Sequence, residues 1–149
     1  MNKLKIVLKY IFLFLIGGGI YYLMEVIYRG YSHYSMFILG GICFLYAGIQ
    51  NEFTDWEQSI IIQVLKVWIF VLISEFITGC IVNIWLDLNV WDYSNLPFNI
   101  LGQSCLYYAL LFILICIFAI ILDDYVRYFF FKEEKPHYHI INTIKKYEI

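Results

Sequence analysis

Charge is scarce in this sequence: Asp, Glu, Lys and Arg make up 15% of its 149 residues, against 62% hydrophobic and 21% aromatic residues. A soluble domain of this length carries about 25% charge, so the composition excludes water as the solvent of most of the chain. The formal net charge of -2 gives no basic surface and argues against a nucleic-acid partner. No small-residue cleavage site follows the first apolar run, which continues into Glu25-Val26-Ile27-Tyr28, so that run is expected to stay as a helix, not to leave as a signal peptide. The four cysteines, Cys43, Cys80, Cys105 and Cys116, lack the paired spacing of a zinc site and all fall in apolar stretches read as helices; they read as small packing residues.

What is present is a set of long apolar runs at about 6–27, 34–49, 60–85 and 100–122. About 20 apolar residues span the hydrocarbon of a bilayer as a helix, so the expected fold is an all-α polytopic membrane protein with four transmembrane helices. It forms one domain over 1–149, with a tail over 123–149. The second run is short and calls for local thinning or an interfacial start. Lys3, Lys5 and Lys9 precede the first run, and Arg127, Lys132, Lys135, Lys145 and Lys146 follow the fourth. The loop after the first run has only Arg29, and the loop before the fourth has no Lys or Arg. The positive-inside rule then puts both termini in the cytoplasm. The acidic loop QNEFTDWEQS falls on the same side, where Asp and Glu carry little weight.

ILGGICFLYA at 38–47 and ILGQSCLYYA at 100–109 coincide at six of ten positions, and Glu25 and Glu75 stand upstream of them in similar settings. Read as a duplication, the chain is two tandem helical hairpins in parallel orientation, with helices 2 and 4 meeting through Gly40, Ala47, Gly102 and Ala109.

Glu75 lies in the middle of the third run, where an acidic side chain costs about 2.5–3.5 kcal/mol. At 100° per residue Glu75, Thr78, Gly79 and Asn83 share one arc, opposite Ile73, Ile77 and Ile84. Gly18, Tyr21, Tyr22 and Glu25 form a comparable stripe on the first helix, and Gln103 stands within reach of Asn83 or Asn99. Glu75, Thr78, Asn83, Glu25 and Gln103 are therefore the candidate ion- or substrate-binding residues; the alternative is hydrogen-bonding glue between helices. Lys66 is placed to snorkel. The loop LDLNVWDYSNLPFN carries Trp91, Asp92, Tyr93, Asn95 and Pro97 as an interfacial cap or a lid over the seam, with Trp91 and Tyr93 suited to the headgroup layer. His33 reads as an interfacial anchor. Tyr125, Tyr128 and Phe129–Phe131 extend the fourth helix along the interface until Pro136 ends it. His137 and His139 make a possible metal pair without a third ligand, so no metal and no cofactor is expected.

EFITG at 75–79, WDYSNLPFN at 91–99 and then Gly102, Cys105 and Leu106 carry a family likeness. The chain resembles the ABC-transporter type IV family, also called CmpB-like, of bacterial multi-pass membrane proteins. The resemblance implies a permease component. Family members often place a basic residue where Gln103 stands here, and an L-P-F-like continuation in place of Leu106-Tyr107-Tyr108. Loss of that cation weakens the case for a fixed ion partner of Glu75.

The sequence has no G-x-x-x-x-G-K-[ST] phosphate loop, nucleophile elbow or HExxH pair, so no enzyme is expected, and an ATP-driven role requires a separate ATPase subunit. Two classes of function stay open. One is a small transporter or permease component handling a cation, proton or polar solute, as a homo-oligomer or with a partner membrane subunit. The other is a non-transporting scaffold or holin-like oligomeric pore-former in the lipid bilayer.

Overall fold

Each apolar run becomes a helix because a backbone surrounded by lipid satisfies its own hydrogen bonds only in that form. The computed structural model describes residues 2–53, 58–138 and 140. Among them, α1 spans Lys3–Arg29, α2 Tyr34–Phe53, α3 Ile60–Gly79 and α4 Leu106–Phe131, with a short antiparallel pair, β1 (Asn99–Ile100) and β2 (Ser104–Cys105), before α4. The ends follow local chemistry. The Asn2 side chain accepts from the Leu4 N–H at the start of α1, and Gly30, at φ 84°, closes that helix in the left-handed conformation that glycine adopts without strain. The Ser59 hydroxyl accepts from the Ile61 N–H to start α3. His33 starts α2: its Nδ1 accepts from the Ser35 N–H and its carbonyl from the Met36 N–H.

Three helices are long and apolar enough to cross a membrane, at Lys3–Arg29, Ile60–Trp85 and Leu106–Phe131; the apolar part of α2, Tyr34–Gln50, is shorter. Along α3 the exposed apolar side chains are Ile61, Leu65, Ile69, Ile73 and Ile77, continued by Ile81 and Ile84, with Lys66 exposed near the start of the helix. That unbroken apolar stripe suits lipid and would be penalised in water. The fold is thus an all-α membrane protein that crosses more than once.

Several expectations are corrected. Gly40 does not meet helix 4. A methyl group on it would come within 2.6 Å of Tyr21 Cβ on α1, and one on Gly17 within 2.2 Å of Phe44 Cβ on α2. Gly17, Gly18, Gly40 and Gly41 therefore interlock α1 with α2 as an antiparallel pair, the close approach that supplies packing energy in lipid. Ala47 does lie in the core between α2, α3 and α4, with Val64, Val67, Cys116 and Ile120. The fourth helix begins at Leu106, not near 100. Asn99 accepts from the Gly102 N–H, its amide donates to the Leu96 carbonyl, and Gly102 sits at φ 69°. This turn chemistry outweighs the apolar composition, so 100–109 is a turn leading into a helix while 38–47 is helical throughout. Cys105 accordingly lies in β2, outside any helix. At its other end α4 stops at Lys132, in the left-handed region at φ 55°, four residues before Pro136.

Candidate functional site

α3 passes into a π-helical turn over Cys80–Trp85. A π turn widens the helix and redirects side chains, and here it turns Asn83 toward the loop. Asn83 Oδ1 accepts from the Val90 N–H at 2.7 Å and the Trp91 N–H at 3.3 Å, while its Nδ2 donates to Gln103 Oε1 at 2.8 Å. Trp91 Nε1 donates to the Gln103 carbonyl at 3.0 Å. The Trp91 ring packs on Gly79, where a Cβ would meet it at 3.0 Å. Trp91 is therefore buried within the protein, whereas Trp85 is 78% exposed.

This clamp carries Tyr93 over Glu75. Glu75 is 4% exposed. The Tyr93 hydroxyl donates to its Oε1 at 3.3 Å and the Ser104 hydroxyl to its Oε2 at 3.3 Å. Among the described residues no ion pair reaches it. Both contacts are long for O–H···O bonds, which cluster at about 2.7–2.8 Å, so Glu75 is held loosely and by neutral groups. Burial, and next the charge of Glu75, push the Tyr93 phenol well above its ordinary value, so it stays a donor at neutral pH.

A cavity lined by Glu75 adjoins a second one at the loop end. One, of about 80 Å³, lies inside the bundle and is lined by Glu75, Cys43, Val67, Val71 and Cys116 among others. The other, of about 170 Å³, lies at the loop end and includes Glu25, Arg29, Tyr93 and Tyr108. Tyr21, Met24, Phe112 and Ile115 wall both. By volume each has room for several waters, at about 10–15 Å³ per water, but only the loop-end cavity, with Glu25, Arg29, Tyr93 and Tyr108, has several polar side chains to hold them.

The other candidates divide. Glu25 lines the loop-end cavity but is paired with Arg29 at 2.7 Å; Arg29 also donates to the Val90 carbonyl at 2.8 Å and lies over the Tyr31 ring. Thr78 spends its hydroxyl on the Ser74 carbonyl at 2.7 Å within its own helix and does not reach Glu75. Gln103 is buried in the clamp. Asp92 is exposed, and the Ser94 hydroxyl and N–H hold its carboxyl below the usual range in a local turn. Asn95 and Pro97 are exposed in that loop. His33 rests on Tyr34 with centroids 4.1 Å apart, and Lys66 is exposed. His139 lies outside the described residues. His137 lies within 4.0 Å of Glu134, and no group of three metal-ligating side chains occurs among the described residues.

Sequence reading missed a second polar centre, at the end of the bundle where α1 begins and α4 ends. Lys9 lies inside α1, 5% exposed, not before it, and pairs with Glu52 at 3.0 Å and with Glu133. Arg127, 2% exposed, pairs with Asp123 at 2.7 Å and with Glu52, to which Tyr10 also donates. Asp123 is fully buried against Gly48, where even a methyl group would collide with its carboxylate. The available signal was the four-residue spacing of Asp123 and Arg127 beside an apolar run.

These features define a multi-pass α-helical membrane protein with polar centres at both ends of its bundle. The model of the family described as "Putative ABC-transporter type IV" matches residues 12–145, and the chain belongs to that family. No curated protein and no solved structure matches the chain.

Proposed function

We propose that this protein is the membrane-embedded component of a transporter and that Glu75 is its proton- or cation-binding site. The observation that carries the reading is a buried carboxylate that lines the inner cavity and, among the described residues, is met by two long hydrogen bonds from neutral hydroxyls and by no ion pair. A carboxylate serving only as glue would gain most from short, charge-assisted partners, as Asp123 has in Arg127. Glu75 instead keeps room for a proton or cation. Asn83 and Gln103 position the loop, Tyr93 covers the site, and Glu25 neutralises Arg29 beside the loop-end cavity.

In this reading the chain is one four-helix domain in the cytoplasmic membrane, with both termini in the cytoplasm, as the placement of Lys and Arg supports. Four helices enclose little volume, so a second copy or a partner membrane subunit completes the pathway, and a separate ATPase subunit supplies any ATP-driven step.

The test is Glu75→Gln, which keeps shape and hydrogen bonding and removes ionisation. The variant is expected to insert and fold as the parent does yet lose activity and its pH dependence, whereas Glu75→Ala also loses stability. Full activity of Glu75→Gln in cells or liposomes would leave hydrogen bonding as the role of Glu75.

A further inference from the structure

The loop-end cavity is walled largely by aromatic side chains, among them Tyr28, Trp91, Tyr93 and Tyr108. The polar atoms of these rings are already engaged. The Tyr93 hydroxyl donates to Glu75, the Trp91 indole N–H donates to the Gln103 carbonyl, and the Tyr28 and Tyr108 hydroxyls lie 3.3 Å apart as a hydrogen-bonded pair. What the rings have left to offer a ligand is their π surface. Tyr93 and Tyr108 stack on one another, which uses one face of each. Tyr28 is 69% exposed near the end of α1 and puts this wall of the cavity at the protein surface.

The charge around the cavity favours a cation. Glu25 and Arg29 pair at 2.7 Å and cancel, and the Arg29 guanidinium lies over the Tyr31 ring, which is not one of the walls. Behind Tyr93 stands Glu75, which no ion pair reaches among the described residues, so ionised Glu75 leaves this region one negative charge. An inorganic divalent ion fits these walls poorly. Ca²⁺ takes about six to eight oxygen ligands and Mg²⁺ about six, whereas the wall hydroxyls here are spent and the Glu25 carboxylate is held by Arg29. An alkylated ammonium needs no such ligands. It is weakly hydrated, spreads its charge over its alkyl groups, and is attracted to aromatic faces within about 6 Å of the ring centroid. Met24 and Met36 also line the cavity, and their flexible, polarisable side chains suit alkyl groups of varied shape.

From this arrangement we infer that the loop-end cavity binds an organic ammonium ion, an alkylated amine with one positive charge, on the rings of Tyr28, Trp91, Tyr93 and Tyr108. The inference rests on the transport reading, in which Glu75 supplies the balancing charge, and it names the class of cation that reading leaves open. The cavity, of about 170 Å³, admits a small ion of this class.

The test measures binding to the full chain in a maltoside detergent by titration calorimetry, with choline as the probe. Its uncharged isostere 3,3-dimethylbutan-1-ol and sodium chloride are the comparisons. Choline is expected to bind saturably and to raise the melting temperature, while the alcohol and sodium do neither. Tyr28→Leu, at an exposed position, keeps apolar bulk and removes the ring. It is expected to weaken choline binding about three- to thirty-fold, as for one lost cation–π contact, and Tyr28→Phe is expected to keep parent affinity. Absence of saturable choline binding overturns the site. Equal binding of the alcohol also overturns it, since that marks an apolar pocket only, and so does parent affinity in Tyr28→Leu. Loss of activity in Glu75→Gln without choline binding to the parent would keep the transport reading and reject the ammonium site. Choline binding of the expected kind with full activity of Glu75→Gln would keep the site and reject the transport reading.

Discussion

The Tyr93 hydroxyl, carried by the loop before the fourth helix, lies 3.3 Å from Oε1 of Glu75 in the middle of the third. This contact joins the loop to the buried carboxylate, and Tyr93 stacks on Tyr108 with ring centroids 4.8 Å apart, which fixes its direction of approach. Tyr93→Phe keeps the stack and removes the donor. The expected result is a folded protein of near-parent thermal stability whose activity shows a shifted pH profile. An unshifted profile would separate the loop from the carboxylate.

Asn83 holds the loop through both ends of its amide. Asn83→Ala strands the Val90 N–H and Gln103 Oε1, at a cost of about 1–3 kcal/mol for each buried polar group left without a partner. The melting temperature in detergent is expected to fall, and Trp91 fluorescence to shift to the red as the indole leaves its pocket on Gly79. A parent-like spectrum would show that the loop holds without the clamp.

Gly17→Ala and Gly40→Ala are each expected to destabilise the protein by about 1–3 kcal/mol, because the added methyl falls inside the contact distance of Phe44 or Tyr21 and forces α1 from α2. Leu114→Ala, at a position 64% exposed to the surroundings of the bundle, is the control and should stay close to neutral. Thermal unfolding of the three variants decides the matter. Equal tolerance at all three positions would place the close approach of helices elsewhere.

The cluster of Lys9, Glu52 and Arg127 should respond to acid. Burial acts to raise the Glu52 carboxyl, but hydrogen bonds from Tyr10, Lys9 and Arg127 and the charge of Arg127 outweigh it and hold Glu52 down to about 2. Its folded-state value is thus below the ordinary one of about 4.3. The stabilisation is present above that ordinary value and is lost as pH falls from there through about 2. Melting temperatures between pH 7 and pH 2 should fall more steeply for the parent than for Glu52→Gln, which lacks this titration. Parallel curves would contradict the assignment.

The apolar runs made the helices legible, since period and length alone decide what a backbone does in lipid. Glu75, Asn83 and Gln103 were each visible as polar residues in or beside apolar runs, and Tyr93 as an interfacial aromatic of the third loop. Their pairing was not, because it depends on the π turn at Cys80–Trp85 and on the turn that delays α4 to Leu106. That turn is written in Asn99 and Gly102, whose local hydrogen bonding competes with a helix that composition alone would extend. The Lys9, Glu52, Asp123, Arg127 and Glu133 cluster joins residues up to 124 positions apart, and no local pattern announces a contact of that range. Lys9 in particular looked like a flanking charge because its partners lie on α2 and beyond α4.

The most direct test of the central claim is whether Glu75 exchanges its proton with water through the cavities. Carbodiimide reacts with protonated carboxyl groups in apolar surroundings, and mass spectrometry reads the modification at residue 75 in the intact membrane protein. The account predicts that Glu75 is modified, that the reaction slows as pH rises, and that a transported cation slows it further. A modification rate at Glu75 that is insensitive to both pH and added cations would contradict it.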